Sequence, residues 1–238
     1  MGPVSAIRRH RLRWWLLLAL ALCAPWSAFG AEEILHHHPD PLPRPPSDKE
    51  FSEFSHHLAG WFVVVLALGE FRNALSPDRW RWMRWLPSIG LLGTGVWLLI
   101  WSDIDTWSLA DGLIQPFLVG DWAAIQHKTY AALLLSIGAI EWRRQQGRLT
   151  HPAWRWPLPL LAIIGGALLL PHMHHAEGDI HLIQLHHRIM GTTAILAGLV
   201  KLAPELSGAA SAGQRARWEV AWAALVLLIG LELLLYTE

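Results

Sequence analysis

Imidazole is the commonest side-chain ligand for copper, zinc, nickel and iron, and this chain carries fourteen histidines against a single cysteine, Cys23. Their spacing is not random. PHMHHAEGDIHLIQLHHRIMGTTAILAGLVK (171–201) sets His172, Met173, His174, His175, His181, His186 and His187 immediately ahead of an apolar run. Two further stretches repeat the plan of its second half. SHHLAGWFVVVLALGE (55–70) and QHKTYAALLLSIGAIE (126–141) align without gaps on HHRIMGTTAILAGLVK (186–201). His56, His127 and His187 fall in one column, and a small residue (Gly60, Ala131 or Gly191) follows four places on. Glu70, Glu141 and Lys201 close the repeat fourteen places after each histidine. One helix design used three times, each copy led by an imidazole, predicts a nitrogen-rich metal site at one depth. Of the adjacent pairs His56–His57 and His186–His187, neighbours on a helix point about 100° apart. Only one of each can face a common centre, and the column favours His56 and His187. Met173 among the histidines adds soft sulfur, which suits Cu(I) better than a hard cation.

The elements that must position these groups are membrane helices. The chain is 53% hydrophobic and 16% charged, with a mean hydropathy of +0.29 and sixteen tryptophans. That is too apolar for an ordinary soluble domain, and indoles favour the membrane–water interface. One cysteine excludes an internal disulfide and a zinc–thiolate cluster. There is no phosphate-binding Gly-rich loop and no nucleophile elbow, and no nucleophile–base pairing, so the chain reads as neither an enzyme nor a nucleic-acid binder.

Residues 1–30 have the form of a secretory signal, with Arg8, Arg9, Arg11 and Arg13, a short apolar core and Ala28-Phe29-Gly30 before the expected cut. Residues 31–53 form a Pro-rich periplasmic tail with His36, His37 and His38. Residues 54–238 form the helical domain. Apolar segments at about 54–71, 82–101, 120–142, 154–171, 181–202 and 218–236 predict an all-α polytopic bundle. It has six transmembrane helices after a signal peptide, arranged as three repeated hairpins. Lys and Arg concentrate between the first and second, third and fourth, and fifth and sixth segments, and are missing from 102–119 and 172–180. By the positive-inside rule both termini lie outside. The signal is bacterial in style, which predicts an inner-membrane protein with periplasmic termini. Nearly every histidine then sits at the periplasmic face.

Glu70 and Glu141 lie beside Arg72 and Arg143, where local pairing and snorkelling account for them. Glu232 is different. An ionisable group among leucines in the last span is costly, and it is expected to hydrogen-bond a ligand histidine or to take part in moving a cation.

SHHLAG, IQHK and LHHRIMG at the outer ends of out-to-in helices make residues 54–202 resemble the copper resistance protein D type of polytopic membrane protein. The resemblance implies copper handling at the inner membrane, by inward movement or by delivery to a cuproprotein or exchange with a periplasmic copper chaperone. It makes His56, His127 and His187 copper ligands. The chain departs from that pattern in its short length and His-rich tail. Three other readings stand beside it. A b-type cytochrome would place haem between two opposed histidines. A nickel or cobalt permease is suggested loosely by HHAEGDIH (174–181). A membrane scaffold would use its histidines only for hydrogen bonding.

Overall fold

The computed structural model describes residues 48–76, 78–101, 122–171, 180–206 and 211–237, with Ile114, Phe117 and Leu118. The signal, the 31–47 part of the tail and the 172–175 run lie outside these residues. So do the loops used in the charge count at 102–113 and 172–179.

Among the described residues there are six α-helices and no strand. They are α1 (Asp48–Leu75), α2 (Leu86–Trp101), α3 (Trp122–Gln145), α4 (Pro157–Leu169), α5 (Ile180–Leu206) and α6 (Ala212–Leu234). Two 3-10 turns, Arg81–Trp85 and Pro152–Arg155, lead into α2 and α4. Helix ends are satisfied locally. Ser211 Oγ accepts from Gln214 N while Ser211 N donates to Gln214 Oε1, a capping box that starts α6. Lys128 Nζ donates to the Leu99 carbonyl (3.0 Å) near the end of α2, where a cation complements the helix dipole.

Three stretches are long and apolar enough to cross a membrane: Lys49–Leu75, Arg81–Trp101 and Ile180–Leu206. The other three expected spans do not reach that standard. α4 has 13 residues, short of the ~20 that a hydrocarbon core requires. α3 and α6 interrupt their apolar runs with polar and charged side chains, Gln126, His127 and Lys128 in one and Glu219 and Glu232 in the other.

The helices follow chain order around the bundle. α1 packs on α2 and α6, α5 packs on α4 and α6, and α2 packs on α3. Contact between α3 and α4 is lighter. It is supplemented there by side chains reaching backbone, Gln126 to Leu168 O and Tyr130 to Gly165 O, each 3.3 Å. The expected hairpins therefore appear unequally: 1–2 and 5–6 are well packed and 3–4 is not. A single apolar core draws on all six helices through Leu66, Ala67, Leu91, Ile137, Leu158, Ala197, Trp222 and Val226.

The small-residue column is explained by this packing. A Cβ on Gly191 would lie 2.7 Å from Gly166 O, and one on Gly166 would lie 2.5 Å from Gly191 O. α4 and α5 therefore touch backbone to backbone, as small residues allow. Ala131 is fully buried.

α1, α3 and α5 begin at one end of the bundle, where their leading histidines gather, and α6 finishes there. We call this the histidine end. The opposite end carries the ion pairs of Glu70, Glu141, Lys201 and Glu205.

Candidate functional site: a histidine–tyrosine cluster

His56 and His57 lie two turns into α1, and His186 and His187 lie two turns into α5. Tyr236 lies two residues past the end of α6. Its backbone is held by the helix end, with Tyr236 N reaching Leu233 O at 3.4 Å and Leu235 N bonding Leu231 O and Glu232 O. The phenol ring turns back into the bundle and is fully buried, as is His187.

The four histidines converge on this tyrosine. His56 stacks on the phenol ring with centres 3.8 Å apart and planes 17° apart. His187 lies 6.2 Å from the phenol at 22°, and His186 lies 5.2 Å away at 54°. His57 Nε2 donates to the Tyr236 carbonyl at 3.0 Å. Both members of each adjacent pair thus engage Tyr236, one pair from α1 and the other from α5. Helix geometry makes neighbouring residues diverge, and a partner entering from the bundle end reaches both.

His56 and His187 have ring centres 6.2 Å apart and planes 37° apart. His56 lies flat on the phenol, while His187 is equally far from both rings. His187 therefore lies to one side of the His56–Tyr236 stack, its ring plane tilted 37° from His56 and 22° from the phenol. Metal–nitrogen bonds of about 2 Å set the centres of two in-line imidazole ligands about 6 Å apart. His56 Nδ1 donates to the Ser52 carbonyl at 2.8 Å, which fixes the tautomer and puts the lone pair on Nε2.

The other predicted ligands are distributed differently. His127 opens α3, which packs on α2 and lightly on α4. Among the described residues no three His, Cys, Asp or Glu side chains come close enough to hold one ion. His181 is exposed in the first turn of α5. His172, Met173, His174 and His175 lie outside the described residues. Glu232 Oε2 is buried without a hydrogen-bond partner among the described residues. Tyr236 was not singled out from sequence. Its signal was weak: one of only two tyrosines, placed one helical turn after the one ionisable residue among the leucines.

At the other end, the closing column of the repeat also converges. Lys201 Nζ bonds Glu70 Oε2 at 2.6 Å and Glu219 Oε2 at 2.5 Å, and Trp222 Nε1 donates to the same Glu70 oxygen at 2.7 Å. Glu70 therefore pairs across helices and not with Arg72, which instead bonds Arg79 O and Asn73 Oδ1. Glu141 pairs with Arg144 and not with Arg143. Glu70, Glu141, Lys201 and Glu219 line a cavity of ≈ 500 Å³ with Arg144 and Arg155. Local pairing and snorkelling explain Glu141 but not Glu70, whose partners come from α5 and α6.

Compared with protein-family models, with curated proteins and with solved structures, the chain matches none.

Proposed function

We propose that this is a copper-handling membrane protein that binds Cu(I) between His56 and His187. The observation that carries the reading is the imidazole pair with ring centres 6.2 Å apart. Two nitrogens in line meet the needs of Cu(I), a soft ion content with few ligands, whereas Cu(II) asks for a tetragonal set and zinc for four donors. On this reading all six helices span the inner membrane after a cleaved signal. The less apolar α3 and α6 and the short α4 are carried by packing against the three apolar helices. The loop charges put both termini, and the histidine end, in the periplasm. Between His57 and Glu70, α1 carries no titratable side chain. This favours capture and delivery at the outer face, to a periplasmic chaperone or cuproprotein, over passage through the bundle.

The spacing also suits the axial ligands of a haem, the second reading. The three ring centres form a triangle of 3.8, 6.2 and 6.2 Å. The midpoint between the imidazoles is then about 4 Å from the centre of the phenol, within the distance at which a cation feels an aromatic ring. A porphyrin centred there extends further than that and overlaps Tyr236. A single copper ion fits with Tyr236 in place, and a haem requires it to leave.

Anaerobic Cu(I) titration of the detergent-purified chain against a chromophoric chelator tests the reading. One Cu(I) per chain, lost in both His56→Ala and His187→Ala, is expected, with two nitrogen neighbours by X-ray absorption. A haem spectrum in the purified protein transfers the case to the cytochrome. Cu(I) binding that survives both substitutions defeats this site.

A further inference from the structure

We propose that the 79–85 stretch, packed against the last turns of α3, is a binding site for the headgroup of an anionic phospholipid, and that Arg84 takes its phosphate. The inference goes beyond the copper reading and does not depend on it. It needs only that the helices lie in a bilayer.

Charge at the ion-pair end of the bundle is unevenly matched. Arg144, Arg155, Arg215 and Lys201 each pair with a carboxylate. Arg79, Arg81, Arg84 and Arg143 pair with none among the described residues. Asp78 is the one carboxylate between Ser76 and Leu86. Two of these guanidiniums rest on indoles instead. Arg79 stands 5.7 Å from the centre of the Trp80 ring and Arg84 4.6 Å from that of Trp85. Trp85 packs in turn on Trp142, with ring centres 4.6 Å apart and planes 36° apart, which ties the stretch to the segment of α3 that carries Arg143. Arg84 Nε is buried and has no hydrogen-bond partner among the described residues. An indole face answers the charge of a guanidinium but not its N–H groups. Phosphate oxygens answer both.

Depth selects a lipid over a soluble phosphate ester. Arg81–Trp101 is long and apolar enough to cross a membrane, so these arginines stand where that stretch enters it, among the headgroups. Trp80 and Trp82 are 63% and 56% exposed, and indoles settle at that level. Trp80 holds a left-handed backbone, φ 46° and ψ 53°, which bulky residues rarely adopt. Its carbonyl accepts from Met83 N at 2.8 Å and so starts the Arg81–Trp85 turn. The excess of guanidinium over carboxylate selects the headgroup. A zwitterionic lipid brings an ammonium into this cluster, where like charges repel. A headgroup of net negative charge brings none, and basic clusters at membrane level take such lipids.

The test uses the full-length protein in an uncharged detergent and native mass spectrometry, with phosphatidylglycerol and phosphatidylethanolamine of identical acyl chains. Wild type is expected to bind phosphatidylglycerol at least about fivefold more tightly than phosphatidylethanolamine. Arg84→Gln is expected to lower phosphatidylglycerol affinity about tenfold and to leave phosphatidylethanolamine within about twofold. Arg217→Gln removes an exposed arginine at the same end of the bundle and is expected to change neither affinity by more than about twofold. Arg79→Gln/Arg81→Gln alters exposed side chains only and is expected to lose at least about threefold, so the site stays testable if Arg84→Gln fails to fold. Equal affinity for the two lipids in wild type, or equal losses in Arg84→Gln and Arg217→Gln, overturns the site. Glycerol phosphate that displaces the lipid at equal concentration overturns the phospholipid assignment in favour of a soluble phosphate ester.

Discussion

Lys201→Met is the perturbation whose cost the structure defines best. The Lys201 ammonium joins three helices, taking Glu70 from α1 and Glu219 from α6 while standing 5.3 Å over the Trp222 ring. The Glu70 side chain is 7% exposed, that of Lys201 16% and that of Glu219 36%. The three contacts are therefore unequal. Glu219 can recover water when the lysine is lost, and solvent already screens its pairing. Glu70 cannot. It would keep only the Trp222 Nε1 bond, and a carboxylate stranded in this way costs about 3–5 kcal/mol. Methionine retains most of the lysine stem, so little of that figure comes from lost packing. Glu70→Gln keeps an oxygen to accept from Trp222 and removes the charge, so the double variant Glu70→Gln/Lys201→Met should recover most of the loss. The coupling is expected to be at least about 2 kcal/mol. Reversible unfolding in mixed micelles, followed by tryptophan fluorescence, measures the four corners of the cycle. A Lys201→Met cost below about 1 kcal/mol with no recovery in the double variant would refute the claim that Glu70 depends on Lys201 across the helix interface.

Further outcomes follow from single contacts. Gly166→Ala drives a methyl to 2.5 Å from the Gly191 carbonyl, whereas at Gly165 the nearest atom is 3.8 Å away. The first should lose about 1–3 kcal/mol to overpacking. The second should be neutral, or gain up to about 1 kcal/mol from helix propensity, both read by thermal unfolding in detergent. Ser52→Ala should leave Cu(I) affinity within about twofold, because the 2.8 Å bond that sets the His56 tautomer comes from the Ser52 carbonyl while its hydroxyl stands at 3.5 Å, near the limit of a hydrogen bond. Trp222→Phe should cost about 1–3 kcal/mol by removing a buried donor from Glu70, and Lys201→Met should not add to it fully. A C-terminal alkaline phosphatase fusion should be active and a C-terminal green fluorescent protein fusion dark if the C-terminus is periplasmic; the reverse pair rejects the six-span orientation.

The helical character of the chain and its apolar stretches could be read from the sequence, because each is carried by local periodicity. The alignment of 55–70, 126–141 and 186–201 placed three histidines at helix starts and three charges near helix ends. The helices α1, α3 and α5 have that form. Composition announced a membrane, and three helices are long and apolar enough for one. Pairing across helices could not be read this way, since it depends on which helix faces which. Glu70 looks locally paired with Arg72 at two residues' separation, yet on a helix such residues do not face each other, and its partners are Lys201 and Trp222, 131 and 152 residues away. His127 shares a column with His56 and His187 but begins a helix that packs mainly on α2, because equal depth does not imply a shared centre. Tyr236 belongs to no repeat and no motif. Only the antiparallel return of α6 against α1, through the close approach of Gly60 and Gly230, brings the C-terminal turn among the histidines. Sequence determined which groups arrive at each end of the bundle. The order of helices around it decided which of them meet.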